Sequence, residues 1–138
     1  MVTPAGVTIS LVSRSGFDMS PLPLIVNWTA WTDAKSEKAA RVVAARLFAA
    51  LHHPVEHEAF ARYDNTGGWR FTFQTRLVEA TRNDGLVATS ALGMRVGYSW
   101  TLNGDVFATL EGWSNAARVS GVTNLQWQLL DEAAHISE

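Results

Sequence analysis

The Asn103-Gly104 dipeptide, preceded by a long run of alternating residues, constrains this chain more than any other feature. A two-residue type I′ hairpin needs positive φ at both central positions, and Asn-Gly is the pair that supplies it at least cost. From Leu86 to Leu102 the even positions carry Leu86, Ala88, Ser90, Leu92, Met94, Val96, Tyr98, Trp100 and Leu102. The odd positions between them are smaller and mostly more polar. Period two marks a strand with one buried face, whereas a helix scatters these residues around its circumference. The run exceeds the usual strand of about five or six residues, so Gly93 and Gly97 are read as bends or bulges.

The Asn-Gly turn then sets Leu102 opposite Asp105, Trp100 opposite Phe107, Tyr98 opposite Thr109 and Met94 opposite Trp113. A second turn at Arg82-Asn83-Asp84-Gly85 sets Phe73 opposite Met94, Phe71 opposite Val96 and Trp69 opposite Tyr98. Both turns bring the same aromatic set to one face, where each cross-strand pair contributes about 0.2–1 kcal/mol. Trp69 and Trp100 are therefore expected to be pillars of the core.

Upstream, Val7 to Arg14 alternates as a short strand. Leu24 to Trp31 is a second, with Leu24, Val26, Trp28 and Ala30 on one face. Ala40, Val43, Ala44, Leu47, Phe48 and Leu51 recur at the spacing of a single buried helical stripe. Thr32 or Asp33 serves as its N-cap, His52 and His53 occupy its last turn, and Pro54 stops it. Strands follow at Val55–Tyr63 and Trp69–Leu77, separated by the turn cluster Asp64 to Gly68. After a loop from Ser114 to Arg118, the last strand runs near Val119–Leu130, with Leu125, Trp127 and Leu129 on one face.

The pattern predicts an α+β fold, a strongly curved antiparallel meander wrapped around one amphipathic helix, in the order β-β-α-β-β-β-β-β. This order of strand, helix and meander is similar to the cystatin-like and hotdog architectures. At 138 residues the chain is expected to form a single domain over 1–138, with 1–6 and 131–138 as flexible tails.

Composition removes several function classes. The chain has no Cys, which excludes a disulfide scaffold, a thiolate zinc site and a cysteine nucleophile. Eleven basic against thirteen acidic residues, net charge -2, argue against nucleic-acid binding held by general electrostatics. There is no apolar run long enough for a membrane span, and Met1 to Gly6 lacks the features of a secretory leader. A cytoplasmic location, or assembly into a particle, is the expectation. The abundance of Ala and the preference for Arg over Lys suggest GC-rich coding and a bacterial or phage source.

No nucleophile elbow, Walker loop or dinucleotide fingerprint is present. The stretch His52-His53-Pro54-Val55-Glu56-His57-Glu58 holds ligand-type side chains, but Pro54 divides it and alternation splits His57 from its neighbouring carboxylates, so neither metal nor cofactor is expected. A non-catalytic role follows, with another protein or copies of the chain itself as partner, either as an inhibitor or immunity-type protein or as a virion or assembly subunit. Trp31 and Trp113, near strand ends, and Arg95 and Arg118, on outward positions, are the candidate contact residues, because Trp and Arg are enriched at binding hot spots. The alternative is a small-ligand protein or enzyme with an apolar pocket between sheet and helix. Phe48, Phe71, Phe73, Met94, Tyr98 and Trp100 would line that pocket, with Glu111 or His57 as its polar group.

Overall fold

A computed structural model describes residues 24–63, 68–79, 81–105 and 109–131. In chain order the elements are β1 (Leu24–Thr32), α1 (Glu37–Leu51), β2 (Glu56–Arg62), β3 (Trp69–Arg76), α2 (Arg82–Val96), β4 (Gly97–Tyr98), β5 (Thr101–Gly104), β6 (Leu110–Ser114), β7 (Ala116–Ala117) and β8 (Val122–Asp131). Six strands form one antiparallel sheet in the order β2-β3-β1-β8-β6-β5, curved against the helices, and β4 pairs with β7 in a separate ribbon. The α+β class and the antiparallel sheet are those the pattern predicts. The strand expected at Val7–Arg14, most of the turn Asp64–Gly68 and the residues after Asp131 lie outside the described residues. No described helix is long and apolar enough to cross a membrane.

The central strand β1 forms where it is expected because its even positions from Leu24 to Ala30 are all apolar, although Ile25 on the other face is buried as well. Leu24, Val26, Trp28 and Ala30 turn to the helix side and are buried. They meet the matching faces of β3 (Phe71, Phe73) and β8 (Leu125, Trp127, Leu129). Trp28 stands opposite Phe73 on one side and Trp127 on the other, and its ring lies parallel to that of Phe73 at 5.8 Å. Its indole N–H donates to Thr75 Oγ1 at 2.9 Å, so the polar end of the buried ring is satisfied. Helix α1 covers this face with Val43, Ala44, Leu47 and Leu51. Phe48 packs edge-on to both Phe71 and Phe73. Its N-cap is Ser36, which accepts from the Ala39 N–H, rather than Thr32 or Asp33. Thr32 instead donates to the Trp69 carbonyl and belongs to β1. The helix ends on His52 in the left-handed region, just ahead of Pro54.

The segment expected to begin a long strand is a helix. Arg82–Val96 forms α2, capped by the Thr81 hydroxyl, which accepts from the Asp84 N–H, so Arg82 to Gly85 is a first helical turn and no hairpin. The residues α2 buries are Gly85, Thr89, Leu92, Gly93 and Val96, which lie at i, i+4, i+7, i+8 and i+11. That is a helical stripe made mostly of small side chains, and hydrophobicity alone hides it. Space explains the composition: a Cβ on Gly93 meets the Trp100 indole at 3.2 Å, and one on Gly85 meets a Leu24 methyl at 2.8 Å. The second helix also interrupts the meander that the cystatin-like and hotdog resemblance implied.

The pairings derived from the two turns change accordingly. Strand β3 pairs with β1 and β2, so Phe73 faces Trp28, Phe71 faces Ala30 and Phe60, and Trp69 faces Arg62. The β5–β6 hairpin exists, but Leu102 lies opposite Gly112 and Thr101 opposite Trp113. Asn103 does not adopt positive φ, which a type I′ turn requires; only Gly104 does, at φ 108, and the chain continues until the Asp105 N–H donates to the Thr109 carbonyl. The partner proposed for Trp100, Phe107, lies outside the described residues. The fully buried pillars are Trp28 and Trp127, whereas Trp69 and Trp100 are half-buried.

Candidate functional site

Among the described residues both helices pack on one side of the sheet, which leaves strands uncovered at the sheet's end at β5 and on its helix-free face. The sheet ends on β2 and β5, and these differ in how they are protected. Edge β2 carries Glu56, His57, Glu58 and Arg62, and a bulge between Glu56 and Ala59 kinks it. Charge and a bulge are what blunt an edge against further pairing. Edge β5, Thr-Leu-Asn-Gly, is exposed at all four positions and carries neither Lys nor Pro. Because Asp105 directs its N–H inward to Thr109, alternation turns the N–H and C=O of Leu102 and Gly104 outward.

Beside this edge, on the helix side, a cleft of about 120 Å³ is lined by Ser90, Met94, Trp100, Leu102 and Trp127. Met94 and Leu102 are each about half exposed. The floor is rigid. Trp100 packs on Trp127 and edge-on to Trp28, and its indole N–H donates to the Gly93 carbonyl at 3.1 Å. Next to it the Ser114 hydroxyl donates to the Tyr98 carbonyl and accepts from the Ala116 N–H, which fixes the chain between β4 and β6.

On the opposite face the register aligns polar side chains in rows across the strands. One row runs Gln74, Asn27, Gln128, Glu111, Asn103, and the next runs Thr72, Thr29, Gln126, Trp113, Thr101. Trp31 stands between Arg70 and Asn124 in a third. Two clefts open here, one of about 310 Å³ with His57, Asn27, Thr72 and Gln128 in its wall, the other of about 300 Å³ between Trp31 and Trp113. His57 reaches the first from the bulge in β2, held at φ 57, a conformation that His tolerates better than most residues.

The residues singled out from sequence separate into distinct places. Trp31 and Trp113 share one cleft. Arg95 is committed elsewhere: its guanidinium donates to the Leu51 and His52 carbonyls at 2.8 and 3.2 Å, satisfying the C-terminal end of α1. Arg118 lies 4.0 Å over the Tyr98 ring, and its N–H donates to the Val96 carbonyl. The seven residues expected around an apolar pocket are not brought together. Phe48, Phe71 and Phe73 fill the core against one another, Met94 and Trp100 line the β5 cleft, and Tyr98 is exposed on β4. Glu111 lies opposite Asn103 and Gln128 on the helix-free face, away from any apolar pocket, and its carboxylate accepts from Gln126 at 2.7 Å. The His52 to Glu58 stretch disperses too, with His52 capping α1 and Glu56 paired with Arg76 at 3.4 Å. No group of three or more His, Asp or Glu converges among the described residues. Sequence reasoning missed Ser90 and Leu102, because both stand beside the cleft only once 82–96 is helical. The signal for that was Thr81-x-x-Asp84, a helix-start pattern.

No family model, curated protein or solved structure matches this chain.

Proposed function

We propose that this protein is a non-catalytic binding or assembly module that takes an extended segment of another protein, or of a second copy of itself, onto edge β5. The supporting observation is the cleft of about 120 Å³ that flanks this unprotected edge. An added strand pairs with the outward groups of Leu102 and Gly104, and its alternate side chains drop toward Met94 and Trp100. Main-chain hydrogen bonds then give affinity and the cleft gives sequence preference. An inhibitor-type partner or a subunit of a larger particle, from a bacterial or phage source, uses such an edge equally well, and both keep the protein in the cytoplasm or in the particle.

The test is selection of heptapeptides from a random display library, followed by titration of synthetic winners and by sedimentation of the chain alone. Selected peptides with an apolar residue at alternate positions, or a dimer in sedimentation, support the reading when Leu102→Pro abolishes the interaction. Proline removes the outward N–H while leaving the inward ladder to β6 intact. Absence of both peptide binding and self-association, or binding untouched by Leu102→Pro, overturns it.

A further inference from the structure

The helix-free face carries chemistry that a strand-accepting edge does not use, and the geometry points to a binding site for a neutral oligosaccharide. Two solvent-facing indoles sit diagonally across β8, Trp31 beside Asn124 and Trp113 beside Gln126. Trp113 is 48% exposed. Neither indole N–H donates to an acceptor among the described residues, in contrast to those of Trp28 and Trp100. Flat aromatic surface with a free polar tip, standing on an otherwise polar sheet, suits a ligand with one C–H face and a rim of hydroxyls.

The groups between and beside the indoles match that rim. Asn27, Thr29, Thr72 and Gln128 make no side-chain hydrogen bond among the described residues, although all are half-buried. Amides and hydroxyls both donate and accept, as sugar hydroxyls do. An apolar protein surface laid over them leaves them unpaired, at about 1–3 kcal/mol for each. Charge narrows the ligand further. The middle of the face holds one carboxylate, Glu111, already bonded to Gln126, while Arg70, Arg76, Glu56 and His57 stand at the rim. Arg70, opposite Trp31, and Glu111, in the middle, leave the described part of the face without an excess of either charge to select an ionic ligand. From His57 on β2 to Trp113 on β6 there are four interstrand spacings, about 19 Å, which suits several linked sugar units better than one. This site does not depend on the reading of edge β5.

Calorimetric titration of the full chain with maltohexaose, cellohexaose, laminarihexaose and hexa-N-acetylchitohexaose tests the proposal. At least one is expected to bind with a Kd of about 1 mM or tighter. Trp31→Ala, Trp113→Ala and Asn27→Ala are each expected to weaken it at least about tenfold, and Leu102→Pro to leave it unchanged. As a check independent of variant folding, saturating sugar is expected to shift the indole N–H resonances of Trp31 and Trp113 in the unmodified protein and not that of Trp28. No binding by any of the four sugars, binding that survives the Trp31→Ala/Trp113→Ala pair, or shifts confined to other tryptophans overturns the assignment.

Discussion

Gly112 lies directly opposite Trp127 in the β6–β8 register, and a Cβ on it would stand 2.7 Å from Cε2 of that indole. The indole is 1% exposed and wedged against Trp100, so it has no direction in which to yield. Gly112→Ala is therefore expected to destabilise the fold by about 1–3 kcal/mol through overpacking. Urea unfolding followed by tryptophan fluorescence measures it. A change below about 0.5 kcal/mol, the level of a neutral surface substitution, refutes this close approach.

Arg95 joins the last turn of α2 to the end of α1. Its two donor bonds reach carbonyls that have no partner within α1, and a cation there also offsets the negative end of the helix. Arg95→Met keeps much of the aliphatic stem and removes the charge-assisted bonds, so it is expected to cost about 1–2 kcal/mol. If Arg95 were instead a contact for a partner, the variant would fold with unchanged stability and lose peptide affinity. Thermal unfolding together with peptide titration separates the two roles.

The same residues show what the sequence discloses. Strands β1 and β8 and helix α1 are legible because their buried positions are filled by apolar side chains, most of them large, at a regular period. Helix α2 is not, although its buried positions are also regularly spaced. Gly85, Thr89 and Gly93 occupy that stripe because Leu24 and Trp100 need the room, while Val87 and Met94 face outward. An even–odd alternation of size then imitates a strand. Asn103-Gly104 misleads for a related reason: Gly104 does adopt positive φ, but as the base of a longer connection, and this displaces every pairing counted from it. Trp31 and Trp113 are legible as contact candidates from their place near strand ends. The cleft that Trp31 and Trp113 share, and the cleft at β5, depend on strand order, which local signals do not encode.

Thr89 is the one described side chain whose buried polar atom has no hydrogen-bond partner: Oγ1 is enclosed beneath α2 and unsatisfied. In a helix a threonine hydroxyl commonly bonds back to a carbonyl one turn earlier, and here it does not. Leaving a hydroxyl buried and unpaired costs about 1–3 kcal/mol, whereas a methyl of similar size at the same place carries no such penalty. Val and Thr have similar helix propensities, so backbone preference does not decide the outcome. Thr89→Val is expected to raise stability by about 1 kcal/mol, and Thr89→Ala to lower it by leaving a cavity against the sheet. Opposite signs for the two substitutions, read from urea midpoints at unchanged slope, mark an unsatisfied hydroxyl in a filled site. Destabilisation by valine as well as alanine shows that the hydroxyl has a hydrogen-bond partner.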